Sequence, residues 1–140
     1  MKSRVTCILI LIAISSVSAA RSEPQAQIDT FLRTLSEKDA SAAIEGLCKG
    51  TLFDSQKHSE LMASVAQFDA ILKTYGKVGR VENVEKKTFG QSFLRFRVIS
   101  YQESGAPLFW EFMFFKMKDE WQIYVFRVND QIYKMFTDSL

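Results

Sequence analysis

Apolar side chains recur at helical spacing in the first half of this sequence. Three stripes with intervals of three or four residues predict three helices before residue 79. Their apolar positions are Ile28, Phe31, Leu32 and Leu35; Ala40, Ala43, Ile44 and Leu47; and Leu61, Val65, Phe68 and Leu72. Pro24 suits the first turn of the first helix and Asp39 the N-cap of the second. Asp54 indicates the start of the third helix, and Gly76 its end.

After Gly79 the apolar period falls from about 3.6 residues to two, which predicts β-strands. Four strands are expected, over residues 80–88, 92–101, 108–117 and 121–128. Short turns between consecutive strands indicate an antiparallel meander. The predicted fold class is therefore α+β, with N-terminal helices packed on a curved antiparallel sheet of four strands or more. The apolar residues within 132–136 are expected to dock as a short turn or strand end.

The turns also predict the register and the two faces of the sheet. A three-residue turn at 118–120 pairs Met117 with Trp121 and Glu111 with Arg127, and opposite charges favour the pairing of Arg97 with Glu111. The apolar face, which should meet the helices, carries Leu94, Phe96, Val98, Leu108, Trp110, Phe112, Phe114, Tyr124, Phe126 and Val128. The mixed face carries Phe93, Arg95, Arg97, Ile99, Phe109, Glu111, Met113, Phe115, Trp121, Ile123, Val125 and Arg127. Because both faces carry apolar residues, a partner subunit or a ligand is expected on the mixed face.

The first 20 residues have the composition of a secretory signal peptide. Lys2 and Arg4 precede an unbroken apolar run at 7–14, and small residues follow at 15–20. The run is shorter than the roughly 20 residues that a membrane-spanning helix needs. We expect cleavage after Ala19 or Ala20 and export to the periplasm or the medium, the alternative being an N-terminal membrane anchor. Residues 21–140 then form a single domain.

Loss of the signal peptide changes the charge of the chain. The sequence has 18 basic and 16 acidic residues, and the leader removes Lys2 and Arg4, so the remainder is neutral. Domains that bind nucleic acid usually carry a basic excess, so no nucleic-acid partner and no purely electrostatic membrane role is expected. Of the two cysteines only Cys48 lies after the leader, so no internal disulfide is expected and stability must come from the hydrophobic core.

Few residues carry the chemistry that catalysis or metal binding requires. His58, the single histidine, lies in a polar stretch and is expected to be a solvated surface residue. We expect Cys48 to be buried and inert, with an intermolecular disulfide as the alternative. One histidine, one cysteine and scattered acids do not predict a metal site, and no cofactor-binding motif occurs. No catalytic residue is assigned.

The order of helices followed by a long antiparallel sheet resembles the NTF2-like (cystatin-like) α+β cone. The segments that carry the resemblance are residues 28–35, 37–40, 75–78, 89–90 and 121–126. It covers the whole chain after residue 20, and the chain looks like the small exported members of that superfamily whose role is unassigned. It implies a cone-shaped pocket between sheet and helices and frequent dimerisation through the sheet, but no single activity. A cystatin-type single helix on a sheet is disfavoured because three helical stripes precede the strands.

The candidate ligand-binding residues combine the charged part of the mixed face with two aromatic residues. Arg97, Glu111 and Arg127 are expected on neighbouring strands, as a structural ion cluster or as a site that anchors a ligand, and Trp121 and Tyr75 complete the set. A carboxylate in apolar surroundings needs charged partners, which is why Glu111 should lie between two arginines.

Two functions are compatible with these patterns. The favoured one is an exported, non-catalytic binding or interaction module with an apolar cone-shaped pocket, which forms a homodimer through its sheet or binds a small apolar or acidic ligand. The alternative is a small-molecule isomerase or hydrolase that uses a carboxylate in the pocket. The acids and tyrosines considered for such chemistry are Asp69, Tyr75, Tyr101, Tyr124 and Glu111.

Overall fold

Four helices precede four strands in the computed structural model, which describes residues 21–131. The helices are α1 (Pro24–Glu37), α2 (Ala40–Cys48), α3 (Leu52–Gln56) and α4 (His58–Tyr75). The strands are β1 (Val78–Phe89), β2 (Phe93–Gln102), β3 (Pro107–Met117) and β4 (Glu120–Asn129), in one antiparallel sheet of order β1-β2-β3-β4. This confirms the predicted α+β class. The predicted signal peptide and the segment 132–136 lie outside the described residues.

The helix termini follow the capping signals of the sequence. The Asp39 carboxylate accepts a hydrogen bond from the Ala42 N–H at 2.7 Å and caps α2. Pro24 occupies the first turn of α1, where its missing N–H leaves no bond unmade. Gly76 ends α4 with φ of +83°, a conformation that glycine adopts without strain. In residues 21–131 no helix is long and apolar enough to cross a membrane.

The third predicted helix is in fact two helices. The Thr51 hydroxyl accepts a hydrogen bond from the Asp54 N–H at 3.3 Å, so α3 begins three residues before the predicted start. Lys57 interrupts the helical path with φ of −132° and ψ of 34°, and α4 begins at the next residue. The prediction was wrong here because Thr51, and not Asp54, caps the first of the two helices, and because the backbone leaves the helical path at Lys57.

Aromatic rings fill the space between the helices and the sheet. Phe31 of α1 packs edge-on against Phe68 of α4 and against Trp110 and Phe112 of β3, with ring centroids 6.2, 5.8 and 5.7 Å apart. The indole N–H of Trp110 donates to the Ser100 hydroxyl at 2.8 Å, which satisfies the one polar atom of this buried ring. The predicted helix-facing position of Trp110 and Phe112 is confirmed.

The register between β3 and β4 combines a confirmed prediction with a wrong one. Glu111 lies opposite Arg97 and Arg127, as predicted. The turn is tighter than predicted, because Met117 pairs with Glu120 and two residues connect the strands. A β-bulge at Tyr124, between the pairs Phe114–Ile123 and Met113–Val125, adds one residue and restores the predicted register beyond it.

The tight turn and the bulge together place three side chains on the opposite face from the one predicted. Ile123 is fully buried against the helices, and Trp121 packs against the same core. Tyr124 instead lies on the far side of the sheet and is 53% exposed. The predicted faces of these three residues were wrong because a one-residue shift exchanges the two faces of a strand. We call the side away from the helices the outer face.

Replacement of Trp110 by alanine should test this packing. The side chain is 1% exposed and contacts two phenylalanines of different helices, so Trp110→Ala should lower the free energy of unfolding by about 3–5 kcal/mol. Urea unfolding measures the change, and Met62→Ala on the exposed side of α4 is the control, expected within about 0.5 kcal/mol of wild type. A loss below about 1 kcal/mol for Trp110→Ala would contradict the packing.

Candidate functional site

The three charged candidate residues meet on the outer face. Arg97 Nε donates to Glu111 Oε2 at 3.2 Å, and Arg127 Nε donates to Glu111 Oε1 at 2.9 Å. Each carboxylate oxygen therefore binds a different guanidinium group, from the strands on either side. The alternation of β2, β3 and β4 produces this arrangement, because the three residues lie directly opposite one another in the ladder.

Two further residues extend this group to β1. Arg95 contacts Glu85 Oε1 at 2.8 Å, and Arg97 lies 3.7 Å from Glu85 Oε2. We call Glu85, Arg95, Arg97, Glu111 and Arg127 the arginine cluster. Glu85 was not predicted because a bulge between Asn83 and Glu85 shifts the register of β1. Arg95 lies beside Arg97 on the outer face of β2. Two neighbouring arginines there were the signal that could have indicated an acidic partner on β1.

The arginine cluster has a buried part and an exposed part. The side chains of Arg97 and Glu111 are 10% and 12% exposed, whereas that of Arg127 is 71% exposed. Buried ion pairs are costly to break singly, because the remaining charge has lost its solvent, and exposed pairs contribute little. Arg97 and Glu111 therefore act as the fixed base of the cluster, and Arg127 presents its guanidinium to solvent.

Aromatic side chains lie beside the arginine cluster at one end of the outer face. The Phe93 ring contacts those of Phe115 and Tyr124 at centroid distances of 6.4 and 6.2 Å, and Phe115 and Tyr124 are 5.9 Å apart. We call these three residues the aromatic patch. Phe93 is 39% exposed, so the patch is accessible together with Tyr124. Sequence reasoning missed it because the bulge at Tyr124 was not foreseen.

Trp121 and Tyr75 do not join the arginine cluster. Trp121 packs on the helix side, where its carbonyl accepts a hydrogen bond from the Gln27 amide at 3.0 Å. Tyr75 lies at the end of α4, and its hydroxyl donates to Asp130 Oδ2 at 2.8 Å. The five predicted residues therefore occupy three separate places, and only the charged three form a common site.

Tyr75 and Asp130 border a cleft between α4 and the end of the sheet. The cleft has a volume of about 300 Å³, with Ile71, Leu108 and Val128 among its lining residues. The hydrogen bond and the negative charge of Asp130 raise the pKa of Tyr75 above its ordinary value. The phenol therefore stays protonated and acts as a donor. Asp130 was missed because it follows the last predicted strand.

His58 and Cys48 offer no activated nucleophile. His58 is exposed, with Nδ1 3.4 Å from Asp54 Oδ1. Burial raises the pKa of the Cys48 thiol to about 12, so the reactive thiolate is scarce at neutral pH. Burial agrees with the predicted inert role and disfavours an intermolecular disulfide. Within residues 21–131, His, Cys, Asp and Glu form no group of three that could hold a metal ion.

A solved structure supports the fold of the chain. The crystal structure of a Campylobacter jejuni protein, described as a candidate NTF2-like transpeptidase, superposes with a TM-score of 0.57 and 16% identity. The match covers 74% of this chain and 99% of the other. No protein-family model and no curated protein matches the sequence. At this identity the similarity establishes the fold alone, and the chain has the NTF2-like fold that its sequence resembles.

A double-mutant cycle should reveal the two parts of the arginine cluster. Coupling of Glu111→Gln with Arg97→Gln should exceed its coupling with Arg127→Gln, because the first pair is buried and the second lies at the surface. We expect about 1 kcal/mol or less for the exposed pair, decreasing with salt, and a larger, salt-resistant value for the buried pair. The exposed pair Lys57–Glu60 is the control for surface coupling. Equal, salt-sensitive couplings in urea unfolding would contradict the assignment.

Proposed function

We propose that the protein is an exported interaction module that pairs with a second copy of itself through its outer face. The observation that carries the proposal is the aromatic patch beside the exposed Arg127 guanidinium. Aromatic residues and arginine are the types that dominate binding energy at protein interfaces. The exposed rings of Phe93 and Tyr124 adjoin each other on one surface. A contiguous exposed apolar patch indicates an interaction site, whereas single exposed apolar residues are common on any protein surface.

A symmetric pairing suits this surface. In a two-fold interface the same patch serves both subunits, so the aromatic patches of two copies can pack on each other. Arg127 lies a few residues from Tyr124 on the same strand, and its exposed side chain can extend over an aromatic ring of the second copy. The buried Arg97–Glu111 pair would hold Arg127 in place from below.

The interior of the domain favours binding over catalysis. The space that would form the pocket of the cone is occupied by Phe31, Trp110 and Phe112, each at most 2% exposed. Their rings bring no acid or base to that space. The outer face therefore presents the better surface for recognition. Export is supported by the sequence of residues 1–20.

Native mass measurement tests pairing and export together. The full chain is expressed in a bacterium with a secretory pathway and purified from the periplasm or medium. We expect a subunit mass that corresponds to cleavage after residue 19 or 20, and an assembly of twice that mass. Phe93→Asp with Tyr124→Asp should weaken pairing by about a hundredfold or more, since both changes place charge in an apolar interface.

Met62→Asp is the matched control, because Met62 is as exposed as Tyr124 but lies on α4. It should leave the dimer intact. A wild-type protein that stays monomeric at the highest soluble concentration would refute the pairing, and so would equal weakening by the control. Recovery of the uncleaved chain from the membrane fraction would refute export in soluble form.

A small-molecule isomerase or hydrolase is the second candidate, because Tyr75 and Asp130 place a proton donor and a carboxylate 2.8 Å apart beside a cleft. Such a pair can support general acid–base chemistry. The pair sits at the rim of the fold, away from the filled interior, which is why binding remains the preferred function.

The hydrogen bond of this pair predicts a measurable titration. Asp130→Asn should lower the pKa of Tyr75, because the raised value depends on the Asp130 hydrogen bond and charge. The folded protein holds the Tyr75 proton more tightly than the unfolded chain, so the contribution to stability is present below the unfolded pKa and is lost as the pH rises through the folded value. NMR of labelled tyrosines measures the pKa of Tyr75. The control is Glu82→Gln, which changes the acceptor of a different tyrosine hydroxyl, that of Tyr101. An unchanged Tyr75 pKa in Asp130→Asn would rule out the pair.

A further inference from the structure

A cleft of about 290 Å³ lies between α2 and the first two turns of α4. Ile44 and Cys48 line it from α2, and Leu61 and Val65 line it from α4. Intervals of four residues place each pair on one face of its helix, so each helix contributes one continuous wall. We call this space the helix cleft. Because it lies among the helices, it is separate from the outer face of the sheet and from the aromatic interior.

The floor of the helix cleft is apolar. Ile44, Cys48 and Leu61 are at most 4% exposed, and Val65 is half-buried beside them. We call these four residues the cleft floor. For comparison, an apolar cavity of about 150 Å³ in another protein holds one benzene molecule. The helix cleft is therefore large enough for an aromatic ring or a short alkyl chain together with a polar head group.

Charged side chains stand toward the end of the helix cleft where α2 ends and α4 begins. Lys49 and Glu45 form an ion pair of 3.5 Å, and Asp54 Oδ1 lies 3.4 Å from His58 Nδ1. The second carboxylate oxygen of Asp54 accepts a hydrogen bond from the Gly50 N–H at 3.4 Å. Asp54 therefore lies between the end of α2 and the start of α4, at the mouth of the cleft.

Asp54 carries the charge that a ligand in the helix cleft would meet. Its side chain is 35% exposed, whereas those of Glu45, Lys49 and His58 are 64%, 76% and 72% exposed. Water and salt screen exposed charges, so these three contribute less to recognition. Lys49 is also neutralised by Glu45, and His58 is positive only when protonated. The least exposed charge at the mouth is therefore negative.

The influence of Asp54 reaches the cleft floor. Burial is the main cause that raises the pKa of the Cys48 thiol to about 12, and the negative charge of Asp54 raises it further. The opposite effect of the Arg21 guanidinium is smaller. Arg21 lies outside the helix cleft and donates a hydrogen bond to the Lys49 carbonyl. The interior of the cleft consequently favours a positive charge over a negative one.

We propose that the helix cleft binds a small organic amine, whose apolar body rests on the cleft floor and whose ammonium group binds the Asp54 carboxylate. Such a ligand suits both parts of the site, because its body leaves water and its head group pairs with a partly buried carboxylate. Small-molecule sites commonly combine an apolar lining with a few polar groups that fix the orientation of the ligand. The inference goes beyond the pairing of two copies and does not depend on it.

Three compounds with the same aromatic ring and different head groups test the proposal. Phenethylamine, phenethyl alcohol and hydrocinnamate are titrated into the purified protein at constant pH and followed by NMR. His58 is the single histidine of the chain, so its ring protons report on the mouth of the cleft, and the methyl groups of Ile44 and Leu61 report on its floor. We expect the amine to bind with a Kd of about 1 mM or below, about tenfold more tightly than the alcohol, and the carboxylate to bind most weakly.

Two variants separate the contribution of the charge from that of the floor. Asp54→Asn keeps the size of the side chain and removes its charge, so it should weaken amine binding about tenfold and leave alcohol binding unchanged. Val65→Phe extends a half-buried side chain into the cleft, so it should weaken the binding of amine and alcohol alike. The wild-type comparison of the three head groups stands even if a variant folds poorly.

Asp119→Asn is the matched control, because it removes the same charge from the exposed β3–β4 turn. It should leave all three affinities unchanged. The proposal is overturned if the amine produces no saturable shift of the cleft signals, or if the alcohol or the carboxylate binds as tightly as the amine. Undiminished amine binding in Asp54→Asn would also overturn it, since the head group would then bind elsewhere. None of these results bears on the pairing of two copies, which native mass measures.

Discussion

Strand β3 carries bulky side chains on both of its faces, and the need to cover both determines the rest of the structure. Trp110, Phe112 and their even-numbered neighbours require the helices, which pack on that side with their own aromatic rings. On the other side the largely buried Glu111 carboxylate needs hydrogen-bond partners, and Arg97 and Arg127 supply them from the adjacent strands. The helical layer thus covers one face of β3, and the arginine cluster satisfies the charge on its other face.

The bulge at Tyr124 makes the packing of the helices on β3 compatible with the pairing of Glu111 and Arg127. After the two-residue turn, an unbroken ladder would pair Glu111 with Phe126 and turn Arg127 toward Trp110 in the core. A buried arginine beside an aromatic core would cost several kcal/mol without a partner, far more than a local disruption of one ladder position. The extra residue returns Arg127 to Glu111 and leaves Tyr124 exposed beside Phe93. The aromatic patch is therefore a by-product of keeping the charges together.

The NTF2-like fold here uses its two sheet faces differently. Aromatic rings fill the side that faces the helices, while the outer face combines a charged base with an exposed apolar end. Side chains that a strand ladder holds in place lose little conformational entropy on binding, which suits the outer face to the pairing proposed above. The outer face also divides along its length, because Phe109 is buried and Phe93 is not.

The sequence by itself determined the elements and the central charged contact. Apolar periodicity predicted the α+β order and placed each strand end within two residues, Asp39 and Gly76 marked helix ends, and opposite charges identified the alignment around Glu111. These features depend on local spacing, which a sequence contains directly. Only the tertiary structure decided the break at Lys57 and the bulge at Tyr124. It also decided that Glu85 and Arg95 join the arginine cluster and that Asp130 accepts the hydrogen bond of Tyr75. Each of these depends on distant strands or helices that compete for the same side chain, and spacing along the chain does not encode that competition.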